Sequence, residues 1–190
     1  FLAASFNIIE DRKILEERMR AAQTLLDALP EPHIAVMEDG CFKNPAYRQY
    51  VTDQLAPKLD LFSMNEDELQ DRFGAPVDIL DPKQVADAVQ TVSRQLGGPT
   101  LICRSACWAL AYGPRANGLQ NALEGGIAMA STRFRLGDDF GAADYEASKK
   151  LPAAPETLAF CEAVGRLPFP EPFLCIPCKD LSGIRKPVTI

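Results

Sequence analysis

Short apolar runs alternate with longer amphipathic stretches along this chain. In residues 11–29, apolar side chains recur every three or four positions, which is the spacing of one helix face. Asp11 is the predicted N-cap of this helix, and Pro30 marks its end. The pattern predicts strands at 2–9, 34–37, 59–64, 100–103 and 172–178, and helices at 11–29, 45–55, from 65, 81–98, 117–134 and 156–166. Residues 137–155 are predicted to be an irregular surface insertion, because they are polar and contain two prolines.

The repeated strand–helix–strand order predicts the fold class. It is typical of an α/β fold in which a mostly parallel sheet carries helices on both faces. Such sheets bind ligands beyond the carboxyl ends of their strands. Chemistry is therefore expected directly after Met37, Met64 and Cys103.

Composition narrows the possible partners. The chain has 190 residues, 47% hydrophobic and 24% charged, which is the balance of an ordinary globular domain. Its net charge is −6 and it has no long Lys/Arg run, so a nucleic-acid partner is not expected. No apolar run approaches the roughly 20 residues that cross a bilayer, so no membrane partner is expected. The apolar start lacks a basic leader and is predicted to be a buried strand, and the missing initiator Met predicts a piece of a longer protein.

Cysteine usage leaves two interpretations open. Cys103 lies close to Cys107, and Cys175 and Cys178 form a CxxC pair. Both pairs are expected to be small buried hydrophobic side chains, since they lie in apolar segments. A four-cysteine zinc site is the alternative. The six cysteines do not define a disulfide scaffold, and reduced thiols predict a cytoplasmic protein.

Acidic residues follow two of the predicted strands. Glu38 and Asp39 follow one strand, whereas Asn65 and Glu68 follow the next strand along the chain. In one interpretation Asn65 caps the following helix and Glu68 completes a capping box. In the other, the carboxylates share a hydrated Mg²⁺, because adjacent strands lie only about 4.8 Å apart.

A cation and a hydroxyl follow the fourth predicted strand. Arg104 and Ser105 would meet the carboxylates at the same sheet edge. Arginine is suited to phosphate oxygens, so a phosphate-binding role is one interpretation. A surface ion pair of Arg104 is the other.

Several common catalytic signatures are missing from the sequence. It contains no GxxxxGK[ST] motif, and no GxGxxG follows the first predicted strand. His33 is the single histidine and is predicted to be structural, which argues against a Ser-His-Asp triad and against histidine-rich metal chemistry.

The segment Asn65-Glu66-Asp67-Glu68-Leu69 resembles the N-x-x-E motif of the ADP-dependent glucokinase and phosphofructokinase family, sugar kinases of the ribokinase-like superfamily. Residues 5–10 are similar to that family's Ser-Gly segment after a core strand. Glu38 stands at the glutamate of the family's H-x-E motif, with Val36 in place of the histidine. Arg104 and Ser105 stand where the family often has a His-x-His-Thr strand end. Residues 173–177 and 186–190 resemble the run into the G-x-G-D motif, whose aspartate base would lie beyond Ile190.

The resemblance implies a ribokinase-like α/β/α sandwich, of which residues 1–190 would form part of the large nucleotide-binding domain. The sugar-binding lid portion and the G-x-G-D segment would lie outside these residues. The implied activity is Mg²⁺-dependent transfer of a phosphoryl group from ADP (or ATP) to a hexose or hexose phosphate, with these residues alone inactive. The implied site residues are Glu38 and Glu68 for Mg²⁺, Asn65, Arg104, Ser105 and Val188 for the nucleotide and its phosphates, and Asn7 for the substrate.

Two other functional classes stay open from the sequence. Val36 and Arg104 depart from the family pattern, which favours a kinase-like protein that has lost catalysis and acts as a binding or regulatory module. Another α/β enzyme, such as a phosphatase or a different ribokinase-like member, is the remaining alternative.

Overall fold

A computed structural model describes most of the chain. The described residues are 1–105, 108–116, 119, 131–132, 135–137, 139–152, 154–167 and 173–176. The strands are β1 Leu2–Ala3, β2 Val36–Glu38, β3 Leu61–Asn65, β4 Thr100–Arg104, β5 Ala109–Tyr112 and β6 Phe173–Ile176. The helices are α1 Arg12–Asp27, α2 Pro45–Leu55, α3 Glu66–Phe73, α4 Pro82–Leu96, α5 Ala142–Ser148 and α6 Pro155–Gly165, with 3₁₀ helices at Phe6–Ile8 and Ala56–Lys58.

The six strands form one sheet in chain order, from β1 to β6. The pairings from β1 to β4 are parallel, whereas β5 pairs antiparallel with both β4 and β6. Residues 61–64 of β3 and 100–103 of β4 are all buried, and successive side chains of a strand point to opposite faces. Both faces of the central sheet are therefore covered, which confirms the α/β fold class with a mostly parallel sheet.

The ends of the long helices follow from local sequence. The Asp11 carboxylate accepts the backbone N–H groups of Lys13 and Ile14 at the start of α1. Asp81 caps α4 in the same way, and Gly97 ends that helix in the left-handed conformation that favours glycine. Within the described ranges, no helix is long and apolar enough to cross a membrane.

The core lies between the sheet and its helices. Trp108 is fully buried at the start of β5, where its indole N–H donates to the Ile79 carbonyl at 2.7 Å. Its ring stacks on Phe160 of α6, with the ring centroids 5.7 Å apart. Among the described residues, the other largest fully buried side chains are Phe62, Leu15, Met19, Met37, Leu55, Met64, Leu69, Leu101, Leu110 and Val51.

A buried ion pair joins the end of β2 to α3. The Arg72 guanidinium donates to both carboxylate oxygens of Asp39, and these side chains are only 8% and 1% exposed. Arg72 also donates to the Thr52 hydroxyl of α2 at 3.2 Å and lies 4.8 Å from the ring centroid of Phe62. Because buried charges are costly unless paired, this contact fixes α2 and α3 against the sheet.

The structure differs from the sequence predictions in three places. The predicted strand at 2–9 is wrong beyond Ala3, because Ser5 has a positive φ of 64° and the chain turns into a 3₁₀ helix. Strand β5 was not predicted. The predicted irregular insertion contains α5, whose first turn is held by the Gly141 N–H donating to Asp144 at 3.0 Å. The helix predicted at 117–134 falls almost wholly outside the described residues.

Replacement of Arg72 by methionine leaves the Asp39 carboxylate buried without its cation. We expect the free energy of unfolding to fall by about 3–5 kcal/mol, measured by urea denaturation of the intact protein. Arg94→Met, at an exposed position of α4, is the control and should change stability by less than about 0.5 kcal/mol. Equal losses in both variants would contradict the structural role of the pair.

Candidate functional site

The residues predicted for chemistry come together at the carboxyl ends of three adjacent parallel strands. Glu38 ends β2, Asn65 ends β3 and Arg104 ends β4. In the sheet register Glu38 lies opposite Ser63, and Asn65 lies opposite Arg104. One edge of the sheet thus presents a carboxylate, an amide and a guanidinium.

Arg104 reaches across β3 to the end of β2. Its Nη2 atom lies 2.8 Å from Oε1 of Glu38 and 3.2 Å from the Ser63 hydroxyl oxygen. The Arg104 and Glu38 side chains are 47% and 48% exposed. The contact is therefore the half-exposed ion pair that was one of the two interpretations of Arg104.

Asn65 and Glu68 form a complete capping box at the start of α3. The Glu68 N–H donates to Oδ1 of Asn65 at 2.9 Å, and the Asn65 N–H donates to Oε2 of Glu68 at 2.8 Å. These bonds fix Glu68 above the sheet edge and leave its Oε1 atom outside the box.

Burial and neighbouring charges, including the lowering effect of Arg104, act on the pKa of Glu68 at this edge. Burial raises the pKa of Glu68, the Asn65 N–H lowers it, and the charges of Asp39 and Glu38 raise it further. The net shift of the Glu68 pKa is upward. The charge of Glu38 therefore acts on Glu68, as expected of carboxylates on the same edge.

The exposed thiol of Cys41 is influenced by several of the same carboxylates. Burial and then the carboxylates of Glu68, Asp71, Asp67 and Asp39 raise the pKa of Cys41. The buried thiol of Cys103 also has a raised pKa, chiefly from burial. Both thiols are thus protonated and poor nucleophiles at neutral pH. Cys107 and Cys178, one member of each predicted pair, lie outside the described residues.

Of the two remaining residues predicted to bind the nucleotide, the structure describes Ser105 but not Val188. Ser105 stabilises the turn between β4 and β5, because its hydroxyl accepts the Trp108 N–H at 3.0 Å. Val188, predicted for nucleotide binding, lies outside the described residues.

Asn7 lies beside a cleft at the ends of β1 and β2. A Cβ atom at Gly40 would lie 2.5 Å from Cγ of Asn7, so the amide occupies space that only glycine leaves. The cleft has a volume of about 240 Å³ and is lined by Asn7, Ile9, Glu10, Phe42, Lys43, Asn44 and Tyr47. Across it, Lys43 pairs with Glu10 at 2.6 Å.

Magnesium binds oxygen ligands and keeps several waters, usually with one or two carboxylates and the phosphates of a substrate. In the part of the chain that the structure describes, no three His, Cys, Asp or Glu side chains converge to hold a metal without such help. Glu38 and Glu68 supply two carboxylates at one edge, and the charge of Glu38 is among the influences that raise the pKa of Glu68, after burial. The two residues therefore fit a hydrated ion that also binds phosphate.

Asp39 is the edge carboxylate whose placement the sequence analysis missed. It follows Glu38 directly, but it is buried against Arg72 instead of facing the edge. The alternation of side chains along an extended segment was the available signal, since neighbours point to opposite faces. The cleft residues Phe42, Lys43 and Tyr47 were also missed, because nothing in their spacing marks a site.

Comparison with solved structures identifies the fold. Similar structures include a phosphofructokinase from Pyrococcus horikoshii OT3 with AMP (18% identity, TM-score 0.63, covering 100% of this chain and 46% of that one). The last common ancestor of ADP-dependent phosphofructokinases from Methanosarcinales is another (14% identity, TM-score 0.64, 100% and 47%). A third is an ADP-dependent kinase in complex with fructose-6-phosphate and ADPβS (13% identity, TM-score 0.63, 100% and 49%).

This chain has the fold of part of an ADP-dependent phosphofructokinase, which confirms the predicted resemblance at the level of the fold. It spans less than half the length of these proteins. No family model matches the sequence, and no curated protein matches it.

The raised pKa of Glu68 makes a prediction about stability. A raised native pKa means that the stabilisation from Glu68 is complete below the ordinary value near 4.5 and is lost as pH rises through the native value. Glu68→Gln keeps the capping box but loses this dependence. Between pH 3.5 and pH 7, the free energy of unfolding of Glu68→Gln should therefore rise by about 0.5 kcal/mol relative to that of wild type. The expected difference is small because the Glu68 side chain is half exposed to solvent. Urea denaturation across pH checks this, and a relative fall would contradict it.

Gly40→Ala should displace the Asn7 amide. We expect a loss of about 1–3 kcal/mol in unfolding free energy, because the new methyl group overlaps that side chain. Gly98→Ala is the matched control, since a Cβ there meets nothing within 4 Å. Adding Asn7→Ala to Gly40→Ala should recover part of the loss in a double-mutant cycle, and additive losses would show that the two residues do not clash.

Proposed function

We propose that this protein is a sugar kinase that transfers a phosphoryl group from ADP to a hexose or hexose phosphate. The observation that carries the proposal is the meeting of Glu38, Glu68 and Arg104 at one carboxyl edge, in the fold of ADP-dependent phosphofructokinases. Ligands of parallel α/β sheets bind at this edge. The similar structures contain AMP in one case, and fructose-6-phosphate with ADPβS in another. We assign the activity to the whole protein, since these residues span less than half of those chains.

On the nucleotide side, the protein has to position phosphates and offset their charge. Arg104 supplies a guanidinium whose planar donors match phosphate oxygens. Glu38 and Glu68 would hold Mg²⁺, in part through water, and the ion would neutralise phosphate charge. Asn65 acts indirectly, because its capping box fixes the position of Glu68.

On the sugar side, the cleft beside Asn7 is lined by both polar and apolar side chains. Asn7, Glu10 and Lys43 carry the donors and acceptors that hydroxyl groups need. Phe42 and Tyr47 present aromatic surface to the ring carbons. Lys43 would add a cation for the phosphate of a hexose phosphate.

A binding or regulatory protein without catalysis is the second candidate. The ion pair between Arg104 and Glu38 favours it, because the carboxylate expected to serve the metal is held by a guanidinium. This candidate predicts nucleotide binding without turnover.

The kinase proposal is tested with the intact protein, ADP or ATP and a panel of hexoses and hexose phosphates. Glu68→Gln should lower kcat about 100- to 1,000-fold, because it removes a charge that stabilises the transition state while leaving the capping box. Glu17→Gln, at an exposed position of α1, is the control and should keep wild-type kcat. Nucleotide binding without turnover would favour the regulatory candidate. Failure to bind any nucleotide would contradict both the kinase and the regulatory proposal.

A further inference from the structure

Arg104 occupies the carboxylate that a divalent cation would need. We infer that Arg104 competes with the cation for Glu38, so that the cation enters this edge with a polyphosphate and does not bind there alone. The inference deepens the proposed function and rests on it for the identity of the polyphosphate as a nucleotide.

The geometry places the guanidinium between two strand ends. Nη2 of Arg104 contacts Oε1 of Glu38 at 2.8 Å and the Ser63 hydroxyl at 3.2 Å, so two protein oxygens hold one nitrogen. A cation at the same carboxylate oxygen would meet a like charge at close range.

The carboxylates of Asp39 and Glu68, next to Glu38, already have partners within the protein. Asp39 is buried and bound through both oxygens to Arg72. Glu68 is one carboxylate whose Oε2 atom already accepts the Asn65 N–H. Arg104 engages Oε1 of Glu38 and the capping box engages Oε2 of Glu68, so one oxygen of each carboxylate is already bound, and a Mg²⁺ ion there would still need phosphate oxygens.

A polyphosphate changes this balance. Its oxygens are good acceptors for a guanidinium, so they take Arg104 from Glu38 and free the carboxylate as they arrive. The cation and the polyphosphate then favour one another, and the coupling between their affinities is reciprocal. Arg104 is thus a positioning residue that makes cation binding depend on phosphate.

The test measures Mn²⁺ binding to the intact protein by calorimetry and electron paramagnetic resonance, without nucleotide. Arg104→Gln should bind Mn²⁺ at least tenfold more tightly than wild type, and adding Glu38→Gln should remove the gain. Arg115→Gln is the matched control, because Arg115 pairs with Asp60 at 2.6 Å, is 39% exposed and lies at the opposite end of β3. It should bind Mn²⁺ like wild type.

A second measurement uses pyrophosphate with EDTA present. Wild type and Arg115→Gln should bind it, and Arg104→Gln should bind it at least tenfold more weakly. The inference is overturned if Arg104→Gln leaves Mn²⁺ affinity unchanged, or if the gain survives Glu38→Gln. Pyrophosphate affinity that does not depend on Arg104 overturns it as well. None of these binding measurements needs turnover. A result that overturns the competition between Arg104 and the cation therefore leaves the kinase proposal untouched. A protein without kinase activity can likewise still show the competition.

Discussion

The buried ion pair between Asp39 and Arg72 sets the geometry of the sheet edge. An aspartate at the end of β2 and an arginine in the last turn of α3 are both removed from water, so each requires the other. Arg72 also contacts Thr52 of α2 and the Phe62 ring of β3. Four elements therefore meet at one charge pair. Because α3 is held in this way, the Glu68 side chain at its first turn stays beside Glu38 on the neighbouring strand.

Three carboxylates of similar chemistry have different roles at this edge because their partners differ. Asp39 is enclosed with Arg72 and serves structure. Glu38 is half exposed and shared with Arg104, which ties its availability to whatever else Arg104 binds. Glu68 has a backbone N–H as its partner, and burial raises its pKa. Under the proposed function, the ligand at this edge would bring both negative oxygens and a cation.

Local patterns were sufficient to predict much of the fold. Helix α1 was predicted from apolar spacing with Asp11 at its start, whereas α2 and α4 were predicted from Pro45 and from Asp81 with Pro82, and all three begin there. Strand β5 was missed because its short apolar run, Ala109–Tyr112, has no periodicity that separates a strand from a buried turn. Helix α5 was missed because prolines that follow it dominated the composition of its segment.

The candidate site was predictable only in part, for a different reason. The motif around Asn65 and Glu68 marks a strand end followed by a capped helix, and both features depend on neighbours in sequence. The contact of Arg104 with Glu38 joins residues 66 positions apart and depends on sheet order and register. The same holds for the contact of Asn7 with Gly40, which sequence spacing does not indicate.

The junction between β3 and α3 restricts how the length of this chain can vary. Asn65 is at once the last residue of the strand and the cap of the helix, so no loop residue separates the two elements. One inserted or deleted residue would rotate the helix by about 100° about its axis relative to the strand. Leu69 would leave the core and Arg72 would leave Asp39. Natural insertions and deletions are therefore expected to avoid this junction and to collect in exposed segments such as residues 74–76.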